Sequence, residues 1–288
     1  MFVIIGILVV IGGIVGGYLM EHGELLVLWQ PAEVVIIGGS AIGTLLIANP
    51  LSVVIGLFKS FLRALKPSPY TGKFYLDTLK MLNDLFVHAR KNGMVKLEAD
   101  VEEPDKSPIF SKYPAFLKDH HAVHFVCDTL RMAISGGVGA FEIDQMMEMD
   151  MEGHHHEANI PVGAISAVAD ALPGLGIVAA VLGIVITMGA LGGPPEEIGH
   201  KVGAALVGTF LGILMCYGFL GPIASYLTKM NDAEGEYYKV LRMAVISFIK
   251  GAAPILAVET ARRMIPPHER PSFKEMEKAC KGGAGAGA

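Results

Sequence analysis

The sequence predicts an all-α, polytopic membrane protein with four transmembrane helices and a helical cytoplasmic domain. Three observations carry this. Of 288 residues, 52% are hydrophobic and only 18% charged, and the mean hydropathy is +0.49, too apolar for an ordinary soluble domain of this length. Four segments reach the ~20 mostly apolar residues that a bilayer crossing needs. Between and after them, apolar residues recur at three- and four-residue spacing, the period of an amphipathic helix.

The first span, 1–20, is free of charge, and without a basic leader or a small-residue cleavage site it reads as a retained helix rather than a signal peptide. The second, 33–48, is charge-free after Glu33 and ends before Asn49-Pro50. The connection 57–161 is too long for a bare linker. Tyr75, Leu79, Leu82, Phe86 and Ala89 form one helical stripe in it, stopped by Asn92-Gly93. Val123, Val126, Cys127, Leu130, Ala133 and Ile134 form a second, ended by Gly136-Gly137. Ile143, Met146, Met147 and Met151 form a third, and Pro104, Pro108 and Pro114 punctuate the irregular stretch before the second. The segment is read as a cytoplasmic helical domain. The third span covers 164–191 and the fourth 202–227. A C-terminal helical segment, 228–281, continues the last span through Tyr238, Leu241, Val245 and Phe248, adds a short helix over 254–264, and stops at Pro266-Pro267. Residues 282–288 are Gly and Ala only and are expected to be a disordered tail.

Of the 23 Lys and Arg, only Lys201 falls in the two short connections after the first and third spans. The positive-inside rule therefore puts the long connection and both termini in the cytoplasm. The net charge of −5 and the dispersed basic residues give no reason to expect nucleic acid. Cys127, Cys216 and Cys280 are too scattered for a disulfide framework or a zinc site.

The span interiors hold no Asp, Glu, Lys or Arg; Glu33 and Asp170 sit at segment ends. Proton and cation carriers place an ionisable group inside the membrane. Either this chain conducts nothing, or a partner contributes the carboxylate. Pro173, at the head of the charge-free run 171–195, is open to two readings: a first-turn proline, where the missing N–H costs little, or an interrupted hydrogen-bond ladder. Pro222, inside the charge-free run 202–228, reads as a kink or hinge. Thr187 and Thr209 are the hydroxyls deep in these spans; such a group usually bonds back to its own helix, and Thr209 is also a candidate for a polar path.

The pairs Gly12/Gly16, Gly13/Gly17, Gly39/Gly43 and Gly208/Gly212 have the spacing that lets membrane helices approach closely. The run His154, His155 and His156, with His120, His121 and His124 earlier, reads as an exposed, solvated cluster and not a metal site, because consecutive histidines on a helix diverge. Arg90 and Glu98 flank the Asn92-Gly93 break and by composition are ordinary surface charges. No nucleophile, base and orienting group fall together, so an enzyme is the weakest reading, and no cofactor is expected.

The segments LVLWQPAE (26–33), FEIDQMMEMDMEGHHHE (141–157), DALPGLGIVAAVLGIVITMGAL (170–191), ALVGTFLGILMCYGFLGPIA (205–224) and ERPSF (269–273), in this order, closely resemble the MotA family of bacterial flagellar motor stator subunits. The resemblance covers nearly the whole chain. It implies an inner-membrane homopentamer, surrounded by lipid, around the helices of a MotB-like dimer. That partner is a single-span peptidoglycan-binding protein whose membrane aspartate would supply the missing carboxylate. It also implies that proton flow turns the ring and drives the rotor protein FliG. Pro173 and Pro222 match the family's coupling prolines, Arg90 and Glu98 its rotor-facing charges, and Asp170 and Thr209 positions near the ion path. Ala180 stands where sodium-driven relatives carry threonine, which favours protons, since sodium needs coordinating oxygens. Two alternatives stand beside this: an ExbB/TolQ-like energising subunit, which generally has three spans, and a scaffold or self-contained channel.

Overall fold

The computed structural model describes residues 2–189 and 192–284, and all regular structure among them is helical. The elements are α1 (Phe2–Met20), α2 (Leu25–Leu28), α3 (Pro31–Ala48), α4 (Leu51–Ala64), α5 (Gly72–Asn92), α6 (Glu98–Glu102), α7 (Pro114–Leu117), α8 (His120–Ser135), α9 (Ala140–Met188), α10 (Pro195–Ile213), α11 (Gly221–Ile249), α12 (Pro254–Met264) and α13 (Phe273–Ala284). A π-helical stretch, Leu214–Leu220, joins α10 to α11. Four helical stretches are long and apolar enough to cross a membrane: Phe2–Met20, Leu25–Ala48, Ala140–Met188 and Pro195–Ile249. The sequence places the end of the third span at residue 191, but residues 190 and 191 lie outside the described set.

The chain divides into two compact units. The first comprises Met1–Pro67 and Glu157–Lys229. Its packed clusters are apolar. One cluster joins Ile37 and Ala41 of α3 to Ala169, Leu172 and Ala179 of α9 and to Cys216. Another joins Ala64 of α4 to Val162 and Ile165 of α9 and to Ile223, Ala224 and Leu227 of α11. By contrast, α1 buries none of its residues, and Phe2 is 82% exposed. A helix that is apolar all round and unburied within its own chain is suited to lipid or to neighbouring helices.

The second unit, Ser68–His156 and Met230–Ala288, has the core of a small helical domain. The α5 stripe foreseen from spacing, Tyr75, Leu79, Leu82, Phe86 and Ala89, is wholly buried. The Thr71 hydroxyl caps the helix by accepting from the Phe74 amide, and Gly93, at φ +88°, closes it. Against this stripe lie α8, through Val123, Val126, Cys127 and Leu130, and α11, through Tyr238, Leu241, Val245 and Phe248. Phe86 and Phe248 stack with ring centroids 4.3 Å apart.

Two expectations change. The stripe beginning at Ile143 is not a separate helix: it opens α9, which runs unbroken through Pro161 and Pro173. The expected tail 282–288 begins within the bounds of α13, and 285–288 lies outside the described residues. Finally, the histidine run is not uniformly solvated. The His154 side chain is 21% exposed and its Nε2 lies 3.2 Å from Glu234 Oε1. Its ring also lies 3.7 Å from that of His121. Burial of one edge of α9 draws His154 inward while His156 stays out.

Candidate functional site

Within the first unit, α9 and α10 approach so closely that only small residues fit between them. A Cβ on Gly176 would stand 2.8 Å from the Gly208 carbonyl oxygen and 3.1 Å from the Gly212 Cα. One on Gly212 would stand 2.5 Å from the Leu172 carbonyl oxygen, and one on Gly183 2.7 Å from the Ala205 Cβ. Gly176, Ala179 and Gly183 on α9 thus face Ala205, Gly208 and Gly212 on α10, at the three- and four-residue spacing of a helix face. Of the four glycine pairs noted in the sequence, Gly208/Gly212 alone makes such a contact; Cβ atoms on Gly12, Gly13, Gly16, Gly17, Gly39 and Gly43 would meet nothing.

Of the residues singled out for ion passage, Thr209 adjoins this seam. Thr209 is half-buried, with its Cα 3.4 Å from the Cβ position of Gly176. Ala180 is buried. Pro173 is half-buried, one residue past Leu172, whose carbonyl faces Gly212. It lies far inside α9, which rules out the first-turn reading. Asp170 is exposed, three residues before Pro173. Thr187 hydrogen-bonds back to the Gly183 carbonyl at 2.8 Å, the usual behaviour of a lone membrane threonine.

Pro222 lies two residues past the end of the π-helical stretch, after Gly221. In a continuous α register its ring would crowd the Gly218 carbonyl and remove that carbonyl's donor. Here the Gly221 amide instead donates to the Cys216 carbonyl, five residues back. The wider turn relieves the crowding, so the anticipated kink takes the form of a change of helical register. Nothing in the apolar sequence around Cys216 announces it except the proline.

A residue that the sequence leaves at the edge of a span proves central to this unit. Glu33, third in α3, is only 6% exposed, and its Oε2 has no hydrogen-bond partner among the described residues. A Cβ on Gly208 would stand 2.5 Å from that oxygen and 3.1 Å from the Ala179 Cβ. A carboxyl group therefore fills the junction of α3, α9 and α10. Glu33, Ala179 and Gly208, far apart in sequence, make this junction; Glu33 and Gly208 stand out in the sequence, but their meeting does not.

In the second unit, Arg90 and Glu98 are both exposed, Arg90 in the last turn of α5 and Glu98 in the first of α6. Arg90 Nη1 donates to the Gly251 carbonyl at 3.4 Å. Beside it, Ala89, Gly93, Met94, Ala133, Phe248 and Ile249 line a notch of about 370 Å³. A guanidinium at the rim of an apolar recess combines charge with a socket. No cluster of three or more metal-ligating side chains is present among the described residues.

Four apolar spans, a seam of small residues and a register change beside a proline define a polytopic helical membrane subunit of channel type. Residues 4–93 match the motility protein A N-terminal model and residues 118–239 the model of the MotA/TolQ/ExbB proton channel family. Motility protein A of Salmonella typhimurium is 40% identical over 278 residues, 96% of this chain and 94% of that protein. The C. jejuni MotAB structure aligns with a TM-score of 0.78 at 18% identity, covering 94% of this chain and 98% of that one. The flagellar MotAB stator complex from Bacillus subtilis gives 0.75 at 24% identity, covering 93% and 96%. This chain belongs to the motility protein A family.

Proposed function

We propose that this chain is the ion-channel subunit of a flagellar motor stator, working with a MotB-like single-span partner to convert proton flow into torque. The carrying observation is the α9–α10 seam, where Thr209 borders a helix contact too tight for larger side chains, with the buried Ala180 next to the contacting Ala179, and where a change of helical register precedes Pro222. The sites proposed for coupling are Pro173, Pro222, Thr209, Ala180 and Asp170. Protons suit the seam because Ala180 offers a methyl group and no oxygen for a sodium ion.

The assembly read from this is a homopentamer around a partner dimer in the bacterial inner membrane, with both termini cytoplasmic. Arg90 and Glu98 face the rotor protein FliG, with the apolar notch beside Arg90 adding surface to the charge contact. One charge crossing about 100 mV releases about 2.3 kcal/mol, enough to bias rotation of a packed ring and too little to refold one. An ExbB/TolQ-like role is the second reading; the match to the motility protein A N-terminal model over the first two spans weighs against it.

Copurification from native membranes tests the central statement. A single-span, aspartate-bearing, peptidoglycan-binding protein is expected to come with this chain, and liposomes holding both are expected to take up protons under a membrane potential. Equal uptake by liposomes holding this chain alone would overturn the need for a partner.

A further inference from the structure

Helix α4 follows the second span, and its 14 residues divide into three faces. The first packs on the rest of the unit. Val54 and Ala64 are buried, and Ala64 joins Val162, Ile223 and Leu227 in one cluster. A Cβ on Gly56 would stand 3.1 Å from the Pro161 Cγ, and the Tyr226 hydroxyl donates to the Lys66 carbonyl at 3.4 Å. These partners stand at the margins of the third span, which begins at 164, and of the fourth, which ends at 227. α3 ends at Ala48, just before α4. α4 is therefore held at the level where three spans leave the apolar layer.

The second face is bare among the described residues. Leu51, Ile55, Phe58 and Leu62, spaced by four, three and four residues, form one line along the helix and are 49% to 70% exposed. The line continues the bare end of α3, where Ile47 is 89% exposed, so it is an extension of a span surface that faces lipid. The third face is basic. Lys59 and Arg63 each come one residue after a member of the line, which sets them about 100° round the helix from it, and Lys66 follows the last turn. Lys59 and Lys66 are exposed and form no ion pair among the described residues. An apolar line with basic residues along one edge suits a helix lying in the membrane interface, with its apolar side in the acyl chains and its charges among the headgroups.

We infer that α4 is a binding site for acidic phospholipid. Leu51, Ile55, Phe58 and Leu62 enter the acyl-chain layer, while the Lys59 and Lys66 ammonium groups, with the Arg63 guanidinium near them, take the negative headgroup. Zwitterionic lipid offers the same chains without the net charge, so the basic edge selects the anionic species. Each Lys or Arg near an anionic membrane surface favours it by roughly fivefold. The inference rests on the membrane placement of the spans and is independent of the motor reading.

The test uses the full chain, with whatever copurifies, in phosphatidylcholine vesicles. These carry a trace of either phosphatidylglycerol or phosphatidylcholine with a photoreactive acyl chain, and adducts are mapped by peptide mass spectrometry. Residues 51–66 are expected to take at least about fivefold more of the phosphatidylglycerol probe. The double variant K59Q/K66Q is expected to remove most of that excess and to leave labelling by the phosphatidylcholine probe unchanged. K59R/K66R is expected to retain the excess. Both variants change exposed side chains only, so the fold is spared. Equal labelling by the two probes would overturn the inference, as would an excess that survives K59Q/K66Q. Absence of label from both probes would show the line covered by protein, a second copy or a partner, and would overturn it as well.

Discussion

The Gly221 amide donates to the Cys216 carbonyl, five residues back, and Pro222 comes next. Two departures from α geometry thus sit side by side, and each accommodates the other. Replacing Pro222 by alanine restores an amide and removes the ring, favouring an uninterrupted α register by about 3 kcal/mol at most. P222A is therefore expected to extract and melt no worse than the unaltered protein while swimming falls. Comparison of melting temperature in detergent with swimming speed checks this; lower stability with normal swimming would make the π stretch a packing feature.

The seam makes a sharper prediction about space. G212A sets a methyl against the Leu172 carbonyl and the Gly176 Cα, and overpacking of this kind costs about 1–3 kcal/mol. G16A meets nothing within the chain and is expected to leave the subunit within about 0.5 kcal/mol. Thermal melts of the two variants test the contrast. If G16A disrupts assembly while the subunit stays folded, a neighbouring chain lies against α1.

Charge reversal at the surface separates contact from folding. R90E and E98K both change exposed side chains, so stability is expected to stay within about 0.5 kcal/mol and complex yield to be unchanged. Torque measured on tethered cells is expected to drop for each. Unchanged torque with both reversed would remove these residues from the rotor contact.

Glu259 gives a pH dependence with a definite sign. Arg262 hydrogen-bonds it through Nε and Nη2 at 2.7 and 2.9 Å, and Arg263 Nε adds a third contact at 2.9 Å. The Arg262 bond, first, and then Arg263 hold this carboxyl below its usual range despite partial burial. A lowered folded value means the stabilisation is fully present above the ordinary carboxylate pKa of about 4.3. It is lost as the pH falls through the folded value. E259Q is expected to cost about 1–3 kcal/mol near neutral pH and progressively less in acid. Melting curves of both proteins from neutral to acid pH check this; a gap that stays constant would refute it.

Much of the second unit is legible in sequence because its helices are amphipathic. The α5 and α8 stripes, with Gly93, Gly136 and Gly137 at positive φ after them, follow from apolar spacing and turn chemistry. α13 was also written there: the Ser272 amide donates to Glu275 and the Glu275 amide to the Ser272 hydroxyl, a capping box that the Gly-rich end obscures. The length of α9 is harder to foresee, since Pro161 and Pro173 both argue for breaks that the fold does not make. Glu33 eludes a linear reading for a different reason. Its importance comes from Gly208 and Ala179, and a carboxyl at the margin of an apolar run looks the same whether it meets water or a packed helix.

The bare surface of α1 has a practical consequence. A helix that buries none of its residues in its own chain depends on whatever solvates its bare faces. The detergent or lipid around this protein is therefore a structural component, and stripping it changes the molecule and not just its solvent. A neighbouring helix laid on that surface would take over the same role as lipid.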